Sequence, residues 1–148
     1  MAALFGKKDD APGETDAGGD VALMEAELER LAALSLSDLA AEVMTKAFGP
    51  DGPGGPGKPG TIEDPTSSER VRMNEIARAV TPLYAGSGVG SEQQVRLTNL
   101  VAEGLQILEN AALVRVSWRG GTENYFATRR GRAALERSEL SGALAAHS

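Results

Sequence analysis

A chain of 148 residues with 41% hydrophobic and 4% aromatic residues has room for one domain with appendages and a modest aliphatic core. It has no cysteine, and its single histidine is the penultimate residue, His147, which excludes a disulfide framework, a thiolate metal site and a histidine-based catalytic triad. The net charge of -6 argues against indiscriminate nucleic-acid binding, but the sign changes along the chain: residues 1–66 hold 13 Asp and Glu against 5 Lys and Arg, whereas residues 67–148 hold 8 against 10, every one of the 10 an arginine.

Residues 1–19 lack a periodic apolar face and read as a disordered tail. Their short apolar run, Ala2 to Phe5, is too brief for a secretion signal or a membrane span, so a cytoplasmic location without membrane contact is expected. Asp20 then caps an accessory helix over 20–34, with Val21, Met24, Leu28 and Leu31 at steps of three and four and Glu25, Glu27, Glu29 and Arg30 off that face. A narrow stripe on an acidic helix suits either a pairing seam or packing against its own domain.

The domain proper is expected over 35–140. Leu36, Leu39, Ala40, Val43 and Ala47 define a helix that ends at Gly49. Residues 49–66, rich in Gly and Pro with Ile62 the one apolar side chain, read as a flexible insertion that cannot be core. A phosphate-cradling loop is excluded there, because Lys58 is followed by Pro59 and no strand precedes it. Thr66 with Glu69 forms a capping box for a helix whose Met73, Ile76, Ala77 and Val80 face inward until Pro82.

Ser91 to Asn110 is the longest periodic stretch, roughly 30 Å of helix. Ser91 and Gln94 form a capping box. Leu97, Leu100, Val101, Leu105 and Leu108 make a buried stripe, and Glu92, Arg96, Asn99, Glu103, Gln106 and Asn110 the polar one. A hairpin follows around Gly120-Gly121, with Arg119 paired to Thr122. That register puts Val114, Val116, Tyr125 and Ala127 on one face and Arg115, Ser117, Asn124 and Phe126 on the other; Trp118, beside the tip, either folds back onto Val116, the favoured case, or serves as a binding anchor. Thr128 caps a last helix, with Arg129, Arg130 and Arg132 in a first turn where the helix dipole favours anions. Leu135, Leu140 and Leu144 continue it towards a frayed end over 141–148.

The run from Leu108-Glu109-Asn110-Ala111-Ala112-Leu113-Val114 through Gly120-Gly121 to Tyr125-Phe126-Ala127-Thr128-Arg129-Arg130-Gly131-Arg132 resembles the helix-wing-helix portion of bacterial winged helix-turn-helix regulators of the MarR-like and PadR-like kind. Their pattern is Leu-Glu-x-x-Gly-Leu-Val, a hairpin, then Tyr-x-Leu-Thr-x-x-Gly, so Ala112 stands where they have Gly and Ala127 where they have Leu. The resemblance implies an α+β, mainly α, winged-helix domain that binds DNA and regulates transcription, commonly as a dimer. In that frame the helix from Ser91 enters the major groove, with Gln93, Gln94, Arg96 and Asn99 against base edges. Arg70, Arg72, Arg115, Arg119, Arg129, Arg130 and Arg132 are the phosphate contacts. A homodimer would form through Val21–Leu34 or the C-terminal helix.

No cofactor, metal or enzymatic activity is expected: Glu103 and Glu109 lie on or beside a solvated stripe, and Ser37, Thr66, Ser91 and Thr128 are accounted for as helix caps. The competing reading is a winged-helix adaptor that binds protein and not DNA, favoured by the acidic sequence pI of about 4.8 and by the Glu-rich accessory helix.

Overall fold

The computed structural model describes residues 12–55, 70–85, 89–119 and 121–145. It is mainly helical with one small antiparallel sheet. In chain order the elements are α1 (Pro12–Ala32), α2 (Leu36–Phe48), α3 (Met73–Val80), a 3-10 turn at Pro82–Ala85, α4 (Ser91–Asn110), strands β1 (Val114–Arg119) and β2 (Thr122–Ala127), α5 (Arg129–Glu136) and α6 (Leu140–Ala145). Among the described residues no helix is long and apolar enough to cross a membrane.

The core lies where α2 crosses α4. Their closest approach is set by small residues: a Cβ added at Gly104 would come within 3.1 Å of the Val43 Cγ2 and 3.5 Å of the Ala40 Cα. Leu39, Val43, Met44 and Phe48 from α2 meet Leu97, Val101, Leu105 and Leu108 from α4, all buried. Ile76, Ala77 and Val80 of α3 close a third side.

Helix α1 is longer and more deeply committed than the sequence suggests. It runs back to Pro12, so 12–19 are helical and not a tail, and Asp20 lies inside the helix and not at its cap. Pro12 suits the first helical position, where its missing N–H costs nothing. Residues 1–11 lie outside the described residues. Met24, Leu28 and Leu31 are fully buried within the same chain while Val21 is exposed, so most of the stripe packs against its own domain, one of the two outcomes its pattern allowed. The element is a core helix and not an accessory one. On its outer side Arg30 bonds both Glu27 and Glu42 of α2, and Glu42 also accepts from Lys46 at 2.9 Å. The bonds from Arg30 first, helped by Lys46, hold the Glu42 carboxyl down at about 2.

The start of the supposed insertion is folded. Gly49, Gly54 and Gly55 are buried, and the Gly54 N–H donates to the Ala47 carbonyl at 2.8 Å. A Cβ at Gly54 would lie 2.6 Å from the Phe48 Cδ1. Glycine here lets the backbone double back over the end of α2 and cover Phe48, a packing role that a count of apolar side chains misses. Residues 56–69, with the Thr66–Glu69 box, lie outside the described residues. The helix expected after that box begins at Met73, where the Arg72 N–H donates to the Glu75 carboxylate at 2.9 Å.

Other caps shift by a residue or two. Ser35, not Ser37, caps α2 by accepting from the Asp38 N–H. Gly90, not Ser91, caps α4, and the Gln93 side chain accepts from the Gly90 N–H at 3.3 Å. Helices α5 and α6 are separate, broken at Ser138 with φ 55. The end is not frayed through 145, since Leu144 of α6 is fully buried.

The hairpin keeps the expected register, with Arg119 opposite Thr122 and Val114 opposite Ala127. Val114, Tyr125 and Ala127 are buried and Val116 is half-buried. Gly121 at φ 80 supplies the turn. Val71 forms an isolated antiparallel bridge to Tyr125, exchanging N–H···O bonds of 2.8 and 2.7 Å. The two-stranded sheet is thereby tied to the segment before α3, which the sequence did not reveal.

Between α4 and β1 the chain turns through Ala112, at φ 62. The Leu113 N–H donates back to the Leu108 carbonyl at 2.9 Å, the bond of a left-handed helix end. An alanine there is strained by about 1–2 kcal/mol. Glycine removes that strain but costs about 0.5–1 kcal/mol of unfolded-state entropy. Since Ala112 is exposed and loses no packing, Ala112→Gly is expected to stabilise the fold by roughly 0.5–1 kcal/mol. Urea denaturation should show a higher midpoint at unchanged slope; a lower midpoint would mean that the turn is not strained.

Candidate functional site

The polar stripe of α4 is exposed at Glu92, Arg96, Asn99, Glu103, Gln106 and Asn110, as its spacing predicts. The start of the helix is different. Gln93 is 8% exposed, and its amide nitrogen donates to the Glu25 carboxylate of α1 at 2.7 Å and to the Val21 carbonyl at 3.4 Å. The Arg96 guanidinium reaches both oxygens of the same carboxylate at 3.1 Å. Bonds from Gln93 first, then Arg96, hold the Glu25 carboxyl below the usual carboxylate range. Gln94 donates to the Tyr84 carbonyl at 3.0 Å.

Of the four side chains expected at base edges, then, Gln93 is buried under α1, Gln94 is half-buried against the 3-10 turn, Arg96 is paired, and Asn99 is exposed. Gln93, expected at a base edge, is buried beneath α1 with its amide bonded to Glu25 and Val21. The signal that could have found its partner is Glu25 on the acidic side of α1, but only three-dimensional packing aligns the two helices.

The arginines come together better. Val71 shares the inner side of the sheet with Tyr125, so the residues that flank it lie towards the outer side. The Arg70 guanidinium stacks 5.1 Å above the Phe126 ring. Arg72 is exposed, and Arg115, opposite Phe126 in the register, is exposed as well. Arg129 and Arg130 are exposed in the first turn of α5, with Arg132 half-buried behind them. The side chain of Arg119 lies outside the described residues.

Two hydrogen bonds anchor this turn. The Thr128 hydroxyl donates to the Ala112 carbonyl at 2.7 Å and accepts from the Gly131 N–H at 3.0 Å. Thr128 thus ties the start of α5 to the strained turn at the head of β1.

The inner side of the hairpin tip is acidic. Trp118 is 66% exposed and is not folded back onto Val116; Glu123 stands opposite it. The Tyr125 hydroxyl donates to the Glu123 carboxylate at 3.4 Å, and burial first, then Glu123, pushes the phenol up to about 12. Glu109 is also raised, by burial and by Glu123. Among the described residues no three of His, Asp and Glu gather in a way that could hold a metal ion. A comparison with protein families, with curated proteins and with solved structures finds no match to this chain.

Proposed function

We propose that this chain is a winged-helix DNA-binding regulator. In support, α4, the hairpin and α5 follow one another as the helix-wing-helix resemblance expects, with α1, α2, the isolated bridge at Val71 and α3 before them and α6 after. The observation that carries the reading is the stacking of Arg70 on Phe126, with Arg115 opposite Phe126 in the strand register and both arginines exposed, from two segments far apart in the sequence of an acidic protein. Guanidinium groups suit phosphate oxygens because a planar fork of donors matches them. Helix α4 is the reading helix, and of the four residues expected at base edges Asn99 is the exposed amide.

The Arg70→Ala and Arg115→Ala variants are each expected to reduce the salt slope of duplex binding by about 0.9 and to weaken all sequences alike. Binding titrations across a salt series read this directly. Unchanged slopes for both would remove the phosphate role of this surface.

A second reading, a protein-binding adaptor, is favoured by the exposed Trp118 beside the Glu109–Glu123 side of the hairpin. Exposed aromatics are frequent anchors at protein interfaces. A pull-down with and without nuclease, followed by sequencing of bound DNA and mass spectrometry of bound protein, separates the two. Nuclease-resistant protein with no enriched DNA sequence would put the adaptor in place of the regulator.

A further inference from the structure

We infer that the first part of α1 is a built-in competitor for the ligand of α4, with the Glu25 carboxylate occupying the Gln93 amide and Arg96 guanidinium in place of the acceptor atoms of a nucleic acid. The inference rests on the DNA-binding reading and adds a regulatory contact to it.

The chemistry is direct. Gln and Arg recognise bases and phosphates by donating to acceptor oxygens and nitrogens. Glu25 supplies acceptor oxygens to the same donors, at 2.7 Å from Gln93 and 3.1 Å from Arg96. A carboxylate carries the same sign of charge as a phosphate, so one ligand excludes the other.

The build of α1 makes the contact reversible without unfolding the helix. Leu28 and Leu31 are fully buried, and Arg30 is bonded to Glu42 of α2, so the C-terminal half is fixed. Ahead of Met24, itself fully buried, the grip changes: Val21 and Leu23 are exposed and the link to α4 is the Val21 carbonyl, while Glu25, just after Met24, holds α4 by its side chain alone. Gly18 and Gly19, just before, weaken the helix there by roughly 1 kcal/mol each. The Glu25–Arg96 pair is itself about half exposed, with side-chain exposures of 43% and 45%, so it is the kind of pair that solvent and salt loosen. Release therefore requires the Glu25 side chain to swing away and the turn before Met24 to fray, with Met24, Leu28 and Leu31 staying buried.

The test uses the full chain, a labelled mixed-sequence duplex at low salt, and three variants. Glu25→Ala is expected to bind the duplex roughly fivefold or more tightly than the unmodified chain, the scale of an ordinary coupling between two sites. Glu25→Gln, which keeps a carbonyl for Gln93 but no charge for Arg96, should fall between. Glu29→Ala changes the net charge equally at an exposed position of the same helix and should have a smaller effect than Glu25→Ala. Hydrogen exchange without DNA should speed up over Val21–Glu25 in the Glu25→Ala variant, a readout independent of binding.

An equal gain from Glu29→Ala would reduce the effect to net charge and overturn the inference. Duplex binding by the unmodified chain with no gain, or a loss, in Glu25→Ala would also overturn it while leaving the DNA-binding reading intact. No duplex binding by any of the proteins would defeat that reading and the inference with it, even if exchange over Val21–Glu25 increased.

Discussion

Replacing Gly131 by alanine should destabilise the fold by about 3 kcal/mol, at the upper end of what overpacking costs. Gly131 sits in the first turn of α5 with its Cα against the Leu113 carbonyl, and an added Cβ would fall within the contact radius of that oxygen and 2.8 Å from the Met44 Cε. The methionine tip could move, but the carbonyl cannot, because Leu113 O already accepts from the Thr128 N–H at 3.0 Å. Pushing α5 away would stretch that bond and also the cap from the Gly131 N–H to the Thr128 hydroxyl. Thermal unfolding should show the midpoint falling by about 10 °C. Gly142 is the internal control: nothing lies within 4 Å of a Cβ built there, and alanine in a helix is favoured over glycine by up to about 1 kcal/mol. A Gly131→Ala protein within about 1 kcal/mol of the parent would mean that the close approach of α5 to Leu113 is not maintained in solution.

The second large effect is expected at Leu28→Ala, which should cost about 3 kcal/mol, within the range for removing a buried leucine side chain. Leu28 is fully buried, and the cavity would open where α1 meets the rest of the core. Leu23, on the same helix but 57% exposed, provides the contrast: Leu23→Ala should stay within about 0.5 kcal/mol. Denaturant midpoints at constant slope read both. If Leu28→Ala were as mild as Leu23→Ala, α1 would be a detachable appendage and the Glu25 contact would lose its anchor.

Both predictions bear on how the candidate site is held. Gly131 and Thr128 fix the start of α5, and with it Arg129 and Arg130, against the hairpin. Leu28 fixes the half of α1 that positions Glu25 over Gln93 and Arg96. One substitution thus loosens a basic surface and the other an acidic cover. Their effects on duplex binding should differ in direction even where both lower stability: Gly131→Ala weakening it, and Leu28→Ala relieving the cover.

Much of this architecture could be read from spacing alone, because periodicity reports which side of an element is dry. The stripe of Leu97, Val101, Leu105 and Leu108, the inward set Val114, Tyr125 and Ala127, the turn at Gly121 and the Thr128 cap all depend on neighbours within a few residues. Local sequence determines such features because helix and strand repeats place those side chains before any long-range contact forms. The arginine-rich second half was likewise evident, as was the Gly in the Thr-x-x-Gly run, although its reason was not.

What tertiary structure alone decided is which polar groups meet. Nothing local pairs Glu25 with Gln93 and Arg96, stacks Arg70 on Phe126, bridges Val71 to Tyr125 or lays Gly54 on Phe48. Exposure was misjudged at two places: Gln93, four residues before Leu97 and so in line with the apolar stripe, is buried beneath α1 although it was expected against base edges, and Trp118 is apolar yet exposed because the hairpin extends beyond the core. A polar residue can be buried wherever a distant partner satisfies its hydrogen bonds, and that partner's position is a property of the packed whole.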